Sequence, residues 1–371
     1  MHPAPGPGGA APTPTTPKRV LVSGGAGFIG SHLVDRLLAR GDTVTVVDNL
    51  STGRRCNLPA AHERLRFVEA DLRQALSAFG KGEVFEEIYH LAAAVGVKLV
   101  IADPIQSIET NVEQTSAILR FAAERSAEGA GVPILIASSS EVYGKSTHSP
   151  FSENDDTVYG PTTVARWSYA CTKAVDEFLA LAYSTQRSLP VVVVRLFNTV
   201  GPRQLGEYGM VLPRFVASAL AGRDLEVYGD GRQTRCFCDV RDVVDALPRL
   251  VSDPRCRGSV FNVGSDSPIS IGDLADRVIH VTGSKAAKSL IQYSDAYSQG
   301  FEDLMQRLPD LRRVRGAIGF SPSVPLDQTI RDVAAWMKTS RGHANGPHST
   351  SGDEDGLAGG LSERKRAGAS A

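Results

Sequence analysis

The chain has 371 residues, 42% of them hydrophobic, and its 40 Lys and Arg against 41 Asp and Glu leave a formal net charge of −1. Charges that nearly cancel without a dominant basic block argue against a nucleic-acid partner, and no apolar run is long enough to span a bilayer. Its 5 cysteines are scattered, and Cys236 and Cys238 are spaced for one face of a strand rather than for a common zinc knuckle. We therefore expect a reduced, cytoplasmic protein without a metal.

Residues 1–17 are rich in Pro, Ala, Gly and Thr, lack the hydrophobic segment of a secretory signal, and read as a disordered tail. The apolar run Arg19–Val22, extended by Ser23, predicts a strand. Gly24, Gly27 and Gly30 follow it and open an amphipathic helix over Ser31–Arg40. Gly24 permits a tight turn, Gly27 lets the backbone approach a pyrophosphate, and Gly30 lets the helix pack closely on the strand. The helix N-terminus then offers free N–H groups to phosphates, with Phe28 and Ile29 in the first turn. A second strand, Val44–Val47, ends at Asp48. A carboxylate there accepts hydrogen bonds from both ribose hydroxyls and repels a 2′-phosphate, so NAD is expected rather than NADP. After the next strand-like piece, Asp71 and Leu72 either meet an adenine edge or begin a helix, with Asp71 as its N-cap.

Further β-branched runs at Leu65–Val68, Glu87–Leu91, Ile134–Ala137 and Val191–Arg195 alternate with helical stretches. Such alternation predicts right-handed βαβ units and a parallel sheet. The fold class expected is α/β: a Rossmann-type doubly wound sheet over residues 18–198, with a smaller α/β substrate lobe over 199–338 and some exchange of chain between them. To that lobe we assign helices near Pro213–Ala221, Val240–Leu250 and Ile271–Thr282 and short strands at Leu225–Tyr228 and Val260–Asn262. Residues 339–371, rich in Gly, Ser and Ala, read as a second disordered tail.

Tyr169 and Lys173 stand at i, i+4 in a predicted helix, which puts phenol and ammonium on one face. An ammonium so placed is expected to lower the tyrosine pKa and make it a base near neutrality. Ser139 follows the buried strand Ile134–Ala137 and sits above the cofactor. Serine, tyrosine and lysine so arranged deprotonate an alcohol while nicotinamide takes its hydride. Ser139 orients the oxygen, Tyr169 takes the proton, and Lys173 also holds the nicotinamide ribose.

With these residues in hand, the chain resembles the extended short-chain dehydrogenase/reductase family that acts on nucleotide-diphosphate sugars. The resemblance covers about residues 18–338. It rests on Gly24–Gly30, the run from Asp48 and Asn49 to Gly53, the run His90, Leu91, Ala92, Ala93 and Ala94, Asn111, Ser139, Tyr169 with Lys173, Arg195–Arg203, and Gly231–Arg235. It implies that Asn49, Leu91, Ala92, Ala93 and Asn111 line the cofactor, and that Asn198 and Arg235 contact the sugar-nucleotide diphosphate. A guanidinium suits that task because it pairs bidentately with phosphate oxygens. It also implies a UDP-sugar substrate and a homodimer paired through helices.

Within the family, the run Ser140, Glu141, Val142, Tyr143, Gly144 looks like UDP-glucuronate decarboxylases and UDP-apiose/xylose synthases. The segment from Arg166 to Cys171 looks like the same relatives. In them a downstream segment, here Tyr297–Asp310, supplies an arginine, which makes Arg307 the residue that meets a substrate carboxylate or assists proton return. Glu141 and Ser140 are then expected to manage the proton returned to C5. Lys98 touches that carboxylate or faces solvent, and we favour solvent. The alternatives are a UDP-hexose or UDP-uronate 4-epimerase, an isomerase in which Glu141 is a bystander, and a non-catalytic NAD-sensing regulator.

Overall fold

The computed structural model describes residues 16–80, 82–93, 103–125, 131–206, 210–292 and 307–344. Ala94, Lys98, residues 297–306 of the downstream segment, and nearly all of both expected tails lie outside them.

The first half alternates strand and helix: β1 (Arg19–Ser23), α1 (Phe28–Arg40), β2 (Thr43–Asp48), β3 (Leu65–Glu69), α2 (Leu72–Ala78), β4 (Glu87–His90), α3 (Pro104–Glu124), β5 (Ile134–Ser139), α4 (Arg166–Arg187) and β6 (Val191–Leu196). These strands form one sheet in the order β3, β2, β1, β4, β5, β6, every neighbour parallel. This is the Rossmann order, in which ligands bind beyond the carboxyl ends of the strands, at the point where the order reverses between β1 and β4. Alternation along the strands fixes the two faces. Val20, Val22, Val44 and Val46 pack with Leu33, Val34 and Leu37 of α1. Leu21, Ile88, Ile134 and Ile136 turn the other way, onto Ile118 and Leu119 of α3 and Ala180 of α4.

The second half continues with β7 (Thr199–Val200), α5 (Val211–Leu220), β8 (Leu225–Tyr228), β9 (Thr234–Cys236), β10 (Cys238–Asp239), α6 (Val240–Ser252), β11 (Ser259–Val263), β12 (Pro268–Ser270), α7 (Ile271–Thr282), β13 (Lys288–Ile291), α8 (Arg312–Ile318) and α9 (Leu326–Ala344). Two of these elements sit elsewhere than expected. β11 joins the large sheet as its seventh strand, parallel to β6. α6 covers the same face as α1, burying Val243, Leu247 and Leu250 against it. A strand at the open edge of β6 leaves fewer unpaired backbone groups, which is why the chain returns there. The rest of the lobe has its own core, in which Phe215, Leu225, Val227, Leu274, Val278, Ile330 and Val333 are buried together. Three two-stranded pieces, β7 with β10, β8 with β13 and β9 with β12, carry it. α9 runs to Ala344, past the expected boundary at residue 338. Once Ile330 and Val333 anchor a helix, adding further polar turns costs little.

Candidate active site

The site begins at the glycine turn. Gly24 has φ +73°, and a Cβ there would lie 2.6 Å from the backbone nitrogen of Ala92, so the turn lies directly against the end of β4. A Cβ on Gly30 would collide with the Gly24 carbonyl oxygen. Gly27 is the N-cap of α1, with no side-chain cap and no acidic residue in the first turn. The helix therefore presents Phe28, Ile29 and Gly30 N–H groups to an anion. Asp48 is buried at the end of β2, and its Oδ2 and Oδ1 accept from the N–H groups of Ala26 (2.9 Å) and Leu50 (2.8 Å). Each oxygen keeps a further lone pair, so the carboxylate is aimed and still able to receive a ribose diol. The cradle fits a dinucleotide. Asn49 is exposed beside it, and Leu91, Ala92 and Ala93 are part-buried at the exit of β4. Asp71 caps α2, accepting from the Arg73 N–H at 2.9 Å and from Gln114 Nε2 at 3.2 Å. Leu72 is buried under that cap, and Asn111 is buried on α3, donating to Thr172 at 3.4 Å.

Ser139 ends β5 and starts a single 3₁₀ turn, Ser140–Tyr143, whose Glu141 N–H donates to the Ser139 hydroxyl at 3.2 Å. Tyr169 and Lys173 reach the same region from the first turns of α4. The electrostatics differ from expectation. Lys173 donates to the Ala137 carbonyl and to Asp176 Oδ2, both at 3.1 Å, so its charge is largely answered by a carboxylate. Tyr169 is pushed well above the ordinary tyrosine value by burial and by the nearby Glu141 charge, while a hydrogen bond with Ser139 pulls it down and Asp176 raises it further. The expected lowering by Lys173 is thus not found: Lys173 is not among the groups that set the Tyr169 value.

Glu141 sits in an arginine cluster. Arg307 approaches its Oε1 at 2.5 Å and Arg166 its Oε2 at 3.5 Å. Burial raises its pKa, but Arg307, Arg166 and Arg235 outweigh that and hold the carboxyl below the usual carboxylate value. Arg307 arrives from a distant part of the chain because the residues after it are pinned. Phe151 N–H donates to the Leu308 carbonyl (2.7 Å), Asp310 N–H returns to Phe151 (2.8 Å), and Asn262 at the end of β11 donates to Phe151 (2.9 Å). Tyr143 stacks on Phe151 and donates to Asn262 at 2.7 Å. Ser140 is buried at the head of the turn. Across the cleft, Asn198 donates to the Cys236 carbonyl at 3.2 Å, which sets it beside buried Arg235.

The family model described as the NAD dependent epimerase/dehydratase family matches residues 20–264. The chain belongs to that family. Among its members, a UDP-N-acetyl-alpha-D-glucosaminuronate decarboxylase of Bacillus cytotoxicus is 39% identical over 86% of this chain and 98% of its own length. UDP-glucuronic acid decarboxylase 1 of Xenopus tropicalis is 35% identical, over 88% of this chain and 73% of that protein. The crystal structure of Thermus thermophilus UDP-glucose 4-epimerase in complex with NAD superposes with a TM-score of 0.74 at 27% identity, covering 86% of this chain and 99% of that one. NAD is the cofactor of this epimerase/dehydratase fold.

Sequence reasoning misses two contributors in this family member. Arg166 enters it only as part of a segment, three residues before Tyr169, yet i, i+3 spacing alone puts it on the tyrosine's side of α4. Asp176 stands three residues after Lys173 by the same rule. Among the described residues no cluster of three or more His, Cys, Asp or Glu is placed to hold a metal, and no helix is long and apolar enough to cross a membrane.

Proposed function

We propose that this chain is a NAD-dependent UDP-glucuronate decarboxylase, a lyase that converts UDP-glucuronate to UDP-xylose and carbon dioxide. The observation that carries the reading is the cluster of Glu141 with Arg307 and Arg166 at the catalytic turn. A 4-epimerase moves no bond at C5 or C6 and has no use there for a carboxyl that delivers a proton. A regulator that only senses NAD needs no serine, tyrosine and lysine set. The division into an NAD-binding part up to about residue 198 and a substrate lobe after it belongs to the same proposal, with α6 and β11 returned to the first.

NAD, when bound, supplies the hydride acceptor and the hydride returned at the end. Ser139 orients O4 of the sugar and Tyr169 takes its proton. The C4 ketone leaves the C6 carboxylate β to a carbonyl. The C5–C6 bond breaks, its electron pair passes into the C4 oxygen, and carbon dioxide leaves. Arg307 and Arg166 grip the substrate carboxylate before that step. Glu141, relieved of its partners and left with the burial that favours its neutral form, takes a proton from solvent and passes it to C5. Tyr169 then returns its proton to O4, while Asn198 and Arg235 hold the diphosphate throughout.

The similarity to the Bacillus cytotoxicus enzyme favours a second reading, the same chemistry on a sugar with an acetamido group at C2. Incubation of the pure protein with UDP-glucuronate, and separately with UDP-N-acetylglucosaminuronate, followed by NMR, tests both. A pentose product from the first is expected. A UDP-galacturonate product that retains C6 overturns decarboxylation in favour of epimerisation.

The proposal includes a homodimer paired through α3 and α4. These helices pack side by side and leave Ile105 (70% exposed), Ile108, Val175 and Phe178 (74% exposed) on the surface. A second copy would cover them as a four-helix contact. Light scattering is expected to give twice the chain mass for the wild type and a monomer for Ile105→Glu/Phe178→Glu. A wild type that is monomeric at micromolar concentration removes the dimer from the proposal.

A further inference from the structure

Asp176 is fully buried, and its partner Lys173 is 2% exposed. The carboxylate takes the Lys173 ammonium at 3.1 Å. Beyond it a chain of polar groups runs under the cleft. Burial pushes the Asp176 carboxyl above its ordinary value, while Lys173 and then the Thr115 hydroxyl on α3 pull it back toward the charged form. The same hydroxyl stands 3.3 Å from His90 Nε2 on β4, and His90 Nδ1 stands 2.7 Å from the Ser23 hydroxyl at the mouth of the glycine turn. His90 is held neutral, its pKa lowered to about 3 by burial and by Lys173. Glu177, the next residue on α4, is committed to Arg195 of β6 at 2.7 Å. The groups that face Asp176 are therefore Lys173, Tyr169 and Glu177 on its own helix, Thr115 on α3, and neutral His90 on β4, with Glu141 beyond Tyr169.

We propose that Asp176 is a positioning residue, one that fixes the Lys173 ammonium beneath the cleft and whose negative charge cancels part of that ammonium's field at Tyr169. Stability alone does not explain it. A buried ion pair repays its desolvation poorly, and an apolar pair of similar volume would serve the fold as well. What an apolar pair would lose is an ammonium held in one place with a tempered charge. The tempering keeps the proton affinity of the Tyr169 oxygen high, so that the proton it takes from O4 is held there until it is returned. The inference rests on Tyr169 and Lys173 as the acid–base pair and holds for whichever sugar is turned over.

The test uses NAD-loaded protein labelled with ¹³C at the tyrosine Cζ, with the Tyr169 resonance identified by its absence from Tyr169→Phe. In Asp176→Asn the ratio of phenolate to phenol at a given pH is expected to be about tenfold higher than in the wild type. Thr115→Val, which withdraws the hydroxyl that favours the charged carboxyl, moves the titration the same way by less and serves where Asp176→Asn folds poorly. Asp176→Glu, which restores the charge, brings it back toward the wild type. A Tyr169 resonance in either of the first two variants that ionises no earlier than in the wild type, up to about pH 10.5, overturns the proposal. The readout needs no turnover, so failure to convert either UDP-uronate would sink the proposed function and leave this measurement standing.

Discussion

Tyr169→Phe is expected to lower kcat on UDP-glucuronate by about 10²–10⁴-fold, the usual contribution of a positioned acid–base group, while KM changes little. The substitution deletes one oxygen from a part-buried ring on α4 and leaves the ring's packing in place, so a loss of this size reports chemistry and not folding. In the proposed mechanism, proton transfer from O4 and its return both run through that oxygen, and no neighbour replaces it. Ser139 is engaged with the Glu141 N–H at 3.2 Å, Lys173 with Ala137 and Asp176, and Glu141 with two guanidiniums. The sign of the pH dependence follows from the raised phenol. Deprotonation is the scarce state, so turnover by the wild type rises with pH along its acid limb, and the variant is flat there. Steady-state kinetics with the product followed by NMR makes the measurement. A variant retaining a tenth or more of wild-type kcat would remove Tyr169 as the base.

The dinucleotide half was legible because its signals are local. Gly24 and Gly30 are required by contacts within the turn and with Ala92, and the strand ending in Asp48 follows directly. The apolar runs gave β1 to β6 nearly to the residue, since all but the part-buried edge strand β3 are buried along most of their length. β11 carries the same kind of run, yet nothing local says which sheet it joins. Its partner β6 lies 67 residues back in sequence, and pairing at that separation is decided by the open edge. Asp71 presented two local readings, and its bond to the Arg73 N–H gives the capping one.

The candidate active site divides in the same way. Ser139, Tyr169 and Lys173 could be read from spacing, but the charge balance around them could not. The expectation that Lys173 lowers the tyrosine value considered one neighbour, whereas the phenol also feels burial, Glu141 and Asp176. Arg307 was carried by resemblance alone. Its arrival at Glu141 depends on Phe151, Leu308, Asp310 and Asn262, four residues from three distant segments that no periodicity connects.

Glu141→Gln provides the second large effect, an expected fall in kcat on UDP-glucuronate of about 10²-fold or more. Glutamine keeps the shape and can still accept from Arg307, but it carries no negative charge for the guanidiniums and no proton for C5. If Glu141 returns that proton, the block falls after carbon dioxide has left, and a UDP-4-keto-pentose accumulates during turnover as a new set of NMR signals. If it only holds the arginines in place, the variant loses affinity for the uronate and no ketone builds up. Stability against pH does not separate the two. The carboxyl is held below its ordinary value by Arg307, Arg166 and Arg235, so the stability it gives the fold is present above the unfolded value and is lost as pH falls through the folded one. Glu141→Gln flattens that acid loss of stability in either case, and the accumulated ketone is the result that distinguishes a proton donor. Full decarboxylase activity in the variant would remove Glu141 from the chemistry, and with it the reason for three arginines to converge on one turn.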